Sequence, residues 1–423
     1  MGRREDFART MRHEKPENLI IDFGGNPLSS MEGESENKLL EFLGFGKKQG
    51  GDLPFGKTRR LDERLLKYFD IDTRSVGEIF TPQDSHFQKI SETEYIDEWG
   101  IRRRFTGLYW ESVNTPLKGA TLEELNAYRF PDPDSIDERQ IAAHAARAKE
   151  LYETTDYVIC AEHPVYGIFE LGCWMCGFED FLYRMALDEE WIHRFFERVL
   201  EYQKKVIQRY YTAVGPYIHY TSSGDDFATQ NAPFVSPDMF RELVKPYFKE
   251  RIAYTKRFTK AKYLHHSCGS VYRLIDDLVD CGVEILNPIQ PKAADMQPRG
   301  LKAAYGEKIV FHGGIDTQEL LPFASESQIE ETVHETIEIL NRDGGYIFAA
   351  AHNIQPDVNP RSLTVMLNAA RKYRRASRAC VTFAKCTAWG DGGWRSRPSR
   401  PQEEKQNGTA VYRHRHGRNE MRG

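Results

Sequence analysis

From Ile136 to Tyr373 the chain alternates helix-like and strand-like stretches. The periodicity of Ile136 to Tyr152 predicts a helix, and the apolar run Tyr157-Val158-Ile159-Cys160-Ala161 predicts a short buried strand. Helices follow over Phe178 to Leu187 and Trp191 to Ala213, then a strand over Tyr217 to Tyr220. A long helix from Pro237 to Phe258 leads into the strand Lys262 to His266 and the helix Val271 to Asp280. The rest of the series is strand Val283 to Leu286, helix Asp295 to Tyr305, strand Ile309 to His312, helix Ile329 to Asn341, strand Tyr346 to Ala350 and helix Pro360 to Tyr373. Short apolar strands separated by helices predict a parallel sheet with helical cover. Six such units, with less regular strands before them, predict a closed eight-stranded α/β barrel. An open doubly wound sheet is the alternative. No strand is followed by the Gly-x-Gly-x-x-Gly turn that would favour dinucleotide binding.

The N-terminal third is less regular. Phe7 to His13 predicts a short helix, and Leu19 to Phe23 a strand that stops at Gly24-Gly25-Asn26-Pro27. Gly44 to Gly56, rich in glycine and lysine, predicts a mobile loop. Tyr95 to Tyr109 alternates as a hairpin does, with Gly100 near its turn. Thr121-Leu122-Glu123-Glu124 has capping-box spacing, and the prolines of Phe130 to Asp134 end the short helix it opens. Beyond Ser377 the period disappears among Arg, Gly, Pro and His. This predicts a barrel domain over residues 1–376, with an irregular N-terminal extension, and a disordered basic tail over 377–423.

The chain has 423 residues, 40% hydrophobic and 29% charged, with a net charge of −5 and a pI near 6.3. That length can bury a large core, and a mildly acidic balance gives no reason to expect nucleic acid as a partner. No apolar run has the length of a membrane span, and no apolar segment follows the charged N-terminus as in a secretory signal. Seven cysteines without a regular pattern predict reduced thiols in the cytoplasm.

In a barrel, functional groups gather where strands end. The richest such place is Tyr263-Leu264-His265-His266-Ser267-Cys268-Gly269. Side chains alternate along a strand, so His266 and Cys268 share one face and His265 takes the other. Imidazole with thiolate suits zinc better than magnesium or calcium. His352, at the end of a later strand, is the natural third ligand. Three protein ligands with an open fourth position describe a catalytic zinc, which lowers the pKa of a bound water, thiol or alkoxide. The alternative is that the three are packing and loop residues. Asp225 and Asp226, after another strand, are candidates for general base, orienter of a ligating histidine or anchor for a cationic substrate; helix capping is the alternative. Asn287, Gln290, Asp316, Asn353 and Gln355 also fall at strand ends and are candidate substrate contacts, Asp316 equally a helix cap. Glu162-His163 could face the same mouth. The Cys173-Trp174-Met175-Cys176 spacing sits among apolar residues, which favours buried thiols over redox or zinc chemistry.

Several segments, in order, resemble the uroporphyrinogen decarboxylase superfamily. They are Arg12 to Pro16, Tyr128 to Pro133, Gly177 to Phe181, Gly224 to Phe227, His266 to Ser270, Gly313 to Gln318 and His352 to Pro356. The resemblance runs from about Arg3 to Tyr373 and implies an α/β barrel of the (β/α)8, TIM type. Two branches follow from it. The haem-pathway decarboxylase uses no metal and handles its tetrapyrrole through an Arg-Gln-Ala-Gly-Arg motif. That motif is absent; the corresponding Asp22-Phe23-Gly24-Gly25 has no arginine, and Asp72 and Arg74 are the nearest stand-ins. The other branch contains cobamide-dependent methyltransferases, whose His-x-Cys pair and distant cysteine bind zinc. This chain matches the pair and departs at the third ligand, where His352 stands near the expected cysteine.

The leading expectation is therefore a zinc-dependent methyltransferase. It would move a methyl group between a small methylated substrate or thiol and a corrinoid carried by a separate partner protein. The alternatives are uroporphyrinogen decarboxylase-type decarboxylation in porphyrin biosynthesis, which calls for a basic barrel mouth built from Arg74 and Arg102 to Arg104, and a ligand-binding relative without turnover.

Overall fold

Eight short strands carry the architecture: β1 (Ile20–Ile21), β2 (Thr73–Ser75), β3 (Val158–Glu162), β4 (Tyr220–Gly224), β5 (Lys262–His266), β6 (Ile285–Ile289), β7 (Val310–Ile315) and β8 (Tyr346–Ala350). In the computed structural model they form one parallel sheet in the order β1, β8, β7, β6, β5, β4, β3, β2. The structure describes residues 2–31, 33–48, 60–77, 80–107 and 110–387, with side chains to residue 374. The mobile loop expected over Gly44 to Gly56 falls largely outside these residues. No described helix is long and apolar enough to cross a membrane.

β1 and β2 form the seam of the barrel. The Asp72 amide donates to the Ile21 carbonyl at 3.1 Å, and the Ile21 amide donates to the Asp72 carboxylate at 2.7 Å. Asp72 also pairs with Arg3 at 3.0 Å and with Arg374. The first helix (Arg3–Met11) and the last (Pro360–Thr387) thus both hold the closing edge.

The two-residue alternation sorts the side chains into an inside and an outside. Ile20, Val158, Tyr220, Leu264, Ile285, Val310 and Ile347 pack together with Phe7 of the first helix as a small interior core. The intervening positions, such as Ile21, Ile159, Tyr263, Leu286, Phe311 and Phe348, join the larger core beneath the outer helices. Two residues further along several strands the inward positions turn polar: Asp22, Ser222, His266, Asn287 and His312 are all buried. A buried polar layer needs internal partners, and here it forms the floor of the functional end.

A separate antiparallel sheet, Gln88–Ser91, Glu94–Ile96, Arg102–Phe105 and Trp110–Ser112, includes the expected hairpin. The Thr121 capping box is present in full. Two boundaries differ from expectation. β4 starts at Tyr220, three residues late, because Gly215–Tyr217 is a 3-10 turn. The final helix continues past Tyr373 to Thr387, where alanine and arginine favour helix without an apolar period to reveal it. The tail expected over 377–423 therefore begins as helix, and residues from 388 lie outside the described part.

Candidate metal centre

β5 ends at His266, and the chain then turns sharply at Gly269. Gly269 has φ +81°, and a Cβ there would lie 2.3 Å from the Thr229 carbonyl oxygen, so only glycine fits. Before the turn, Cys268 is held by its backbone: its amide donates to Asp226 Oδ1 at 2.8 Å, and the Gly269 amide donates to Gln290 Oε1 at 2.6 Å. The Cys268 thiol then lies 3.3 Å from His266 Nε2. His352 arrives from the loop after β8, its ring 5.8 Å from that of His266 and inclined to it at 64°. One ligand atom from each of His266, Cys268 and His352 lies within 4.8 Å of the others.

This geometry fits a metal. Tetrahedral zinc, with nitrogen near 2.0 Å and sulfur near 2.3 Å, separates its ligands by roughly 3.3–3.8 Å. The His266–Cys268 edge already has that length, and His352 needs a side-chain adjustment of about 1 Å to complete the face. Burial, with the charge of Asp226, pushes the Cys268 thiol up, and burial beside His266 pushes the His352 imidazolium down. His352 is thereby kept neutral with a free lone pair, as ligation requires.

His266 is held in one tautomer. Its Nδ1 lies 2.5 Å from Asn287 Oδ1, which can only accept, so the proton sits on Nδ1 and Nε2 faces Cys268 as an acceptor. Asn287 Nδ2 lies 2.7 Å from His312 Nδ1, and His312 Nε2 lies 2.8 Å from Asp22 Oδ2. Asp22 also accepts from the Gly25 amide and from Asn26, Ser29, Thr73 and Tyr220. Burial pushes its carboxyl up, but the hydrogen bonds from His312, Thr73 and the Gly25 amide more than offset this, and it stays below the ordinary aspartate value.

Asp225 and Asp226 have separate environments. Asp225 is fully buried and accepts from the amides of Ile168, Phe169 and Glu170 at 2.8–3.2 Å, capping the helix Ile168–Cys176. That helix begins at Gly167, which has no capping side chain and leaves room for the carboxylate: a Cβ there would lie 2.2 Å from Asp225. Asp226 faces the ligand atoms, with Oδ1 3.8 Å from His266 Nε2. Beside it is Glu170, whose carboxyl is pushed well up by burial and by the charges of Asp226 and Asp225. Glu170, Glu162, Tyr166, Ser222 and Ser223 line a cavity of about 170 Å³.

The remaining candidates divide. Asn287 touches His266, and Gln290 holds the Gly269 turn. Asn353 accepts from Gln355 at 3.1 Å, next to His352. Asp316 caps the turn into Leu320–Phe323 through the amides of Gln318, Glu319 and Leu320, and lines a different groove of about 770 Å³. His265 faces outward between Phe227 and Phe248. Cys173 and Cys176 are buried thiols, both pushed up by burial. The arginines that a basic mouth would need are engaged: Arg74 with Glu63, Arg102 and Arg104 with Glu94, Arg103 with Asp97. Asp22, His312 and Glu170 went unpredicted. Their only sequence signal is a polar residue at an inward strand position or just after a strand.

The fold and site define a parallel barrel that brings a His-x-Cys turn and a second imidazole together at its C-terminal mouth. Residues 114–373 match the model of the uroporphyrinogen decarboxylase (URO-D) family, and the chain belongs to that family. Membership points to an enzyme. Among solved structures it is similar to a methyltransferase from Methanosarcina mazei, with TM-score 0.62 and 13% identity over 88% of this chain and 99% of that one. Native xylanase 10B from Thermotoga maritima superposes at a TM-score of 0.36 with 10% identity, over 58% of this chain and 83% of that one, too loosely to carry an argument. No curated protein matches the sequence.

Proposed function

We propose that this chain is a zinc-dependent methyltransferase that moves a methyl group between a small methylated substrate or thiol and a corrinoid carried by a partner protein. The observation that carries the reading is the meeting of His266, Cys268 and His352 within 4.8 Å at the barrel mouth. The Methanosarcina methyltransferase, alike in fold over nearly its whole length, supports it. Zinc held by these three would supply Lewis acidity, keeping a thiol or hydroxyl reactant deprotonated at neutral pH.

The chain's own groups do the rest. The Asp226 carboxylate stands where a proton leaving that reactant can be received. Glu170, kept protonated by burial and its acidic neighbours, can return a proton to a leaving oxygen or nitrogen in the adjoining cavity. The decarboxylase reading requires cationic groups facing a polycarboxylate, and the arginines suggested for that role are paired elsewhere.

Elemental analysis of purified protein tests the metal step. The expected result is close to one zinc per chain, lost in Cys268→Ala; under one zinc per two chains, with no loss in the variant, would remove the mechanism. Transfer from methylcobalamin to a thiol, followed by loss of the methylcobalamin absorbance, tests the chemistry. Release of carbon dioxide from uroporphyrinogen without methyl transfer would favour the decarboxylase instead.

A further inference from the structure

We infer that Asp22, acting through His312 and Asn287, is a positioning residue that fixes His266 as an Nε2 metal ligand. The inference rests on the metal reading above and extends it to three buried groups that touch no reactant.

The four side chains come from the residue after β1 and from β7, β6 and β5, and form one line across the barrel interior: Asp22 to His312 at 2.8 Å, His312 to Asn287 at 2.7 Å, Asn287 to His266 at 2.5 Å. All four are buried, so water cannot replace a missing partner, and each hydrogen bond constrains the next. The Asp22 carboxylate can only accept, so His312 must carry a proton on Nε2. That leaves the neutral ring's Nδ1 as an acceptor, which takes an N–H of the Asn287 amide. The amide is then turned with its oxygen towards His266. His266 must place its proton on Nδ1 and present the Nε2 lone pair beside the Cys268 thiol.

Turning the amide over shows how strongly the ends are coupled. The Asn287 NH2 would then face His266 Nδ1, forcing the proton onto Nε2, where it blocks ligation. The amide oxygen would face His312 Nδ1, which would need a second proton. The five further donors on Asp22 hold the fixed end in place. Partners of a ligating histidine commonly set metal affinity by 10–100-fold. This line places the origin of that effect on a residue far from the metal, 244 positions before His266 in the chain.

The test measures Co2+ and Zn2+ affinity by chelator competition and reads the His266 tautomer by 15N NMR of the metal-free protein. Asn287→Leu should weaken metal binding about 10–100-fold and lose the Nδ1–H signature. Asn287→Asp, which still accepts from His266, should keep the tautomer and stay within about 3-fold of wild type, a rescue that mere space-filling would not give. Asp22→Asn should weaken binding about 10-fold with all three ligands intact. Unchanged affinity and tautomer in both Asn287→Leu and Asp22→Asn, with wild type binding metal normally, overturns the inference alone. Failure of the wild type to bind metal removes the proposed function and this inference with it.

Discussion

His265 and His266 are adjacent and chemically identical, yet the strand's alternation gives them opposite fates. His266 points into the barrel, where Nδ1 donates to Asn287 Oδ1 and Nε2 faces the Cys268 thiol as an acceptor. His265 points outward, its ring 5.2 Å from Phe227 and 4.7 Å from Phe248, with neither ring nitrogen hydrogen-bonded among the described residues. An unpartnered buried imidazole costs about 1–3 kcal/mol in desolvation, and burial pushes it well down, so it stays neutral. His265→Leu should therefore leave stability within about 1 kcal/mol of wild type or raise it, with metal affinity unchanged. His266→Leu should lose metal binding while urea unfolding shows a folded protein. Equal loss of metal from both variants would mean that the loop, and not the imidazole, governs the site. At this scale the sequence was informative: donor chemistry and a two-residue spacing suffice to pick out His266 and Cys268. Asp22 and His312 were not legible, because their contact joins positions 290 apart and exists only once β1 and β7 stand across one barrel.

The helix Ile168–Cys176 has Gly167 before it and no capping side chain of its own; its first amides are met by Asp225, which closes the end of β4. The pairing makes a helix terminus and a strand end depend on one carboxyl group. Burial pushes that carboxyl up to about 6, against the helix amides and Arg251, which favour its ionised form. Between about pH 4 and 6 the folded chain thus holds a proton that the unfolded chain has released, and this group's contribution to stability falls as pH rises through that window. Asp225→Asn cannot ionise. Its stability relative to wild type should improve by about 2–3 kcal/mol between pH 4 and pH 7, read from urea midpoints at each pH. A difference that stays flat with pH would show that Asp225 is ionised throughout. Its place after a strand made it a candidate for chemistry in the sequence; only the arrival of a helix 55–57 residues away shows its capping role. The stretch from Ile168 to Cys176 concealed that helix as well, since it is buried at seven of its nine positions and carries only Glu170 to mark a polar face.

The barrel as a whole is held shut by charges brought from its two ends. β1 and β2 are short, and Asp72 supplies what a longer ladder would: it takes the Ile21 amide on one side and Arg3 and Arg374 on the other. The alternation of strand and helix made the barrel legible, because six βα units leave few other ways to cover a parallel sheet. The seam was not legible, since it joins the first helix, the second strand and the last helix through single side chains. Arg374 is nearly fully buried and also reaches Asp70 at 3.1 Å. Removing one partner of a buried pair strands the other charge, typically at about 3–5 kcal/mol, whereas replacing both with apolar groups can come near to neutral. Arg374→Leu alone should therefore destabilise by about 3 kcal/mol, and Asp72→Leu by more, because it also orphans the Ile21 amide. The double variant should be less destabilised than the sum by about 2 kcal/mol. Hydrogen exchange at Ile21 should accelerate in both variants lacking Asp72. Asp22 directly follows Ile21, the last residue of β1, so the seam and the candidate metal site share a support. Loosening β1 should weaken metal affinity as well, whereas additive losses with unchanged exchange at Ile21 would show that the barrel closes without this clamp.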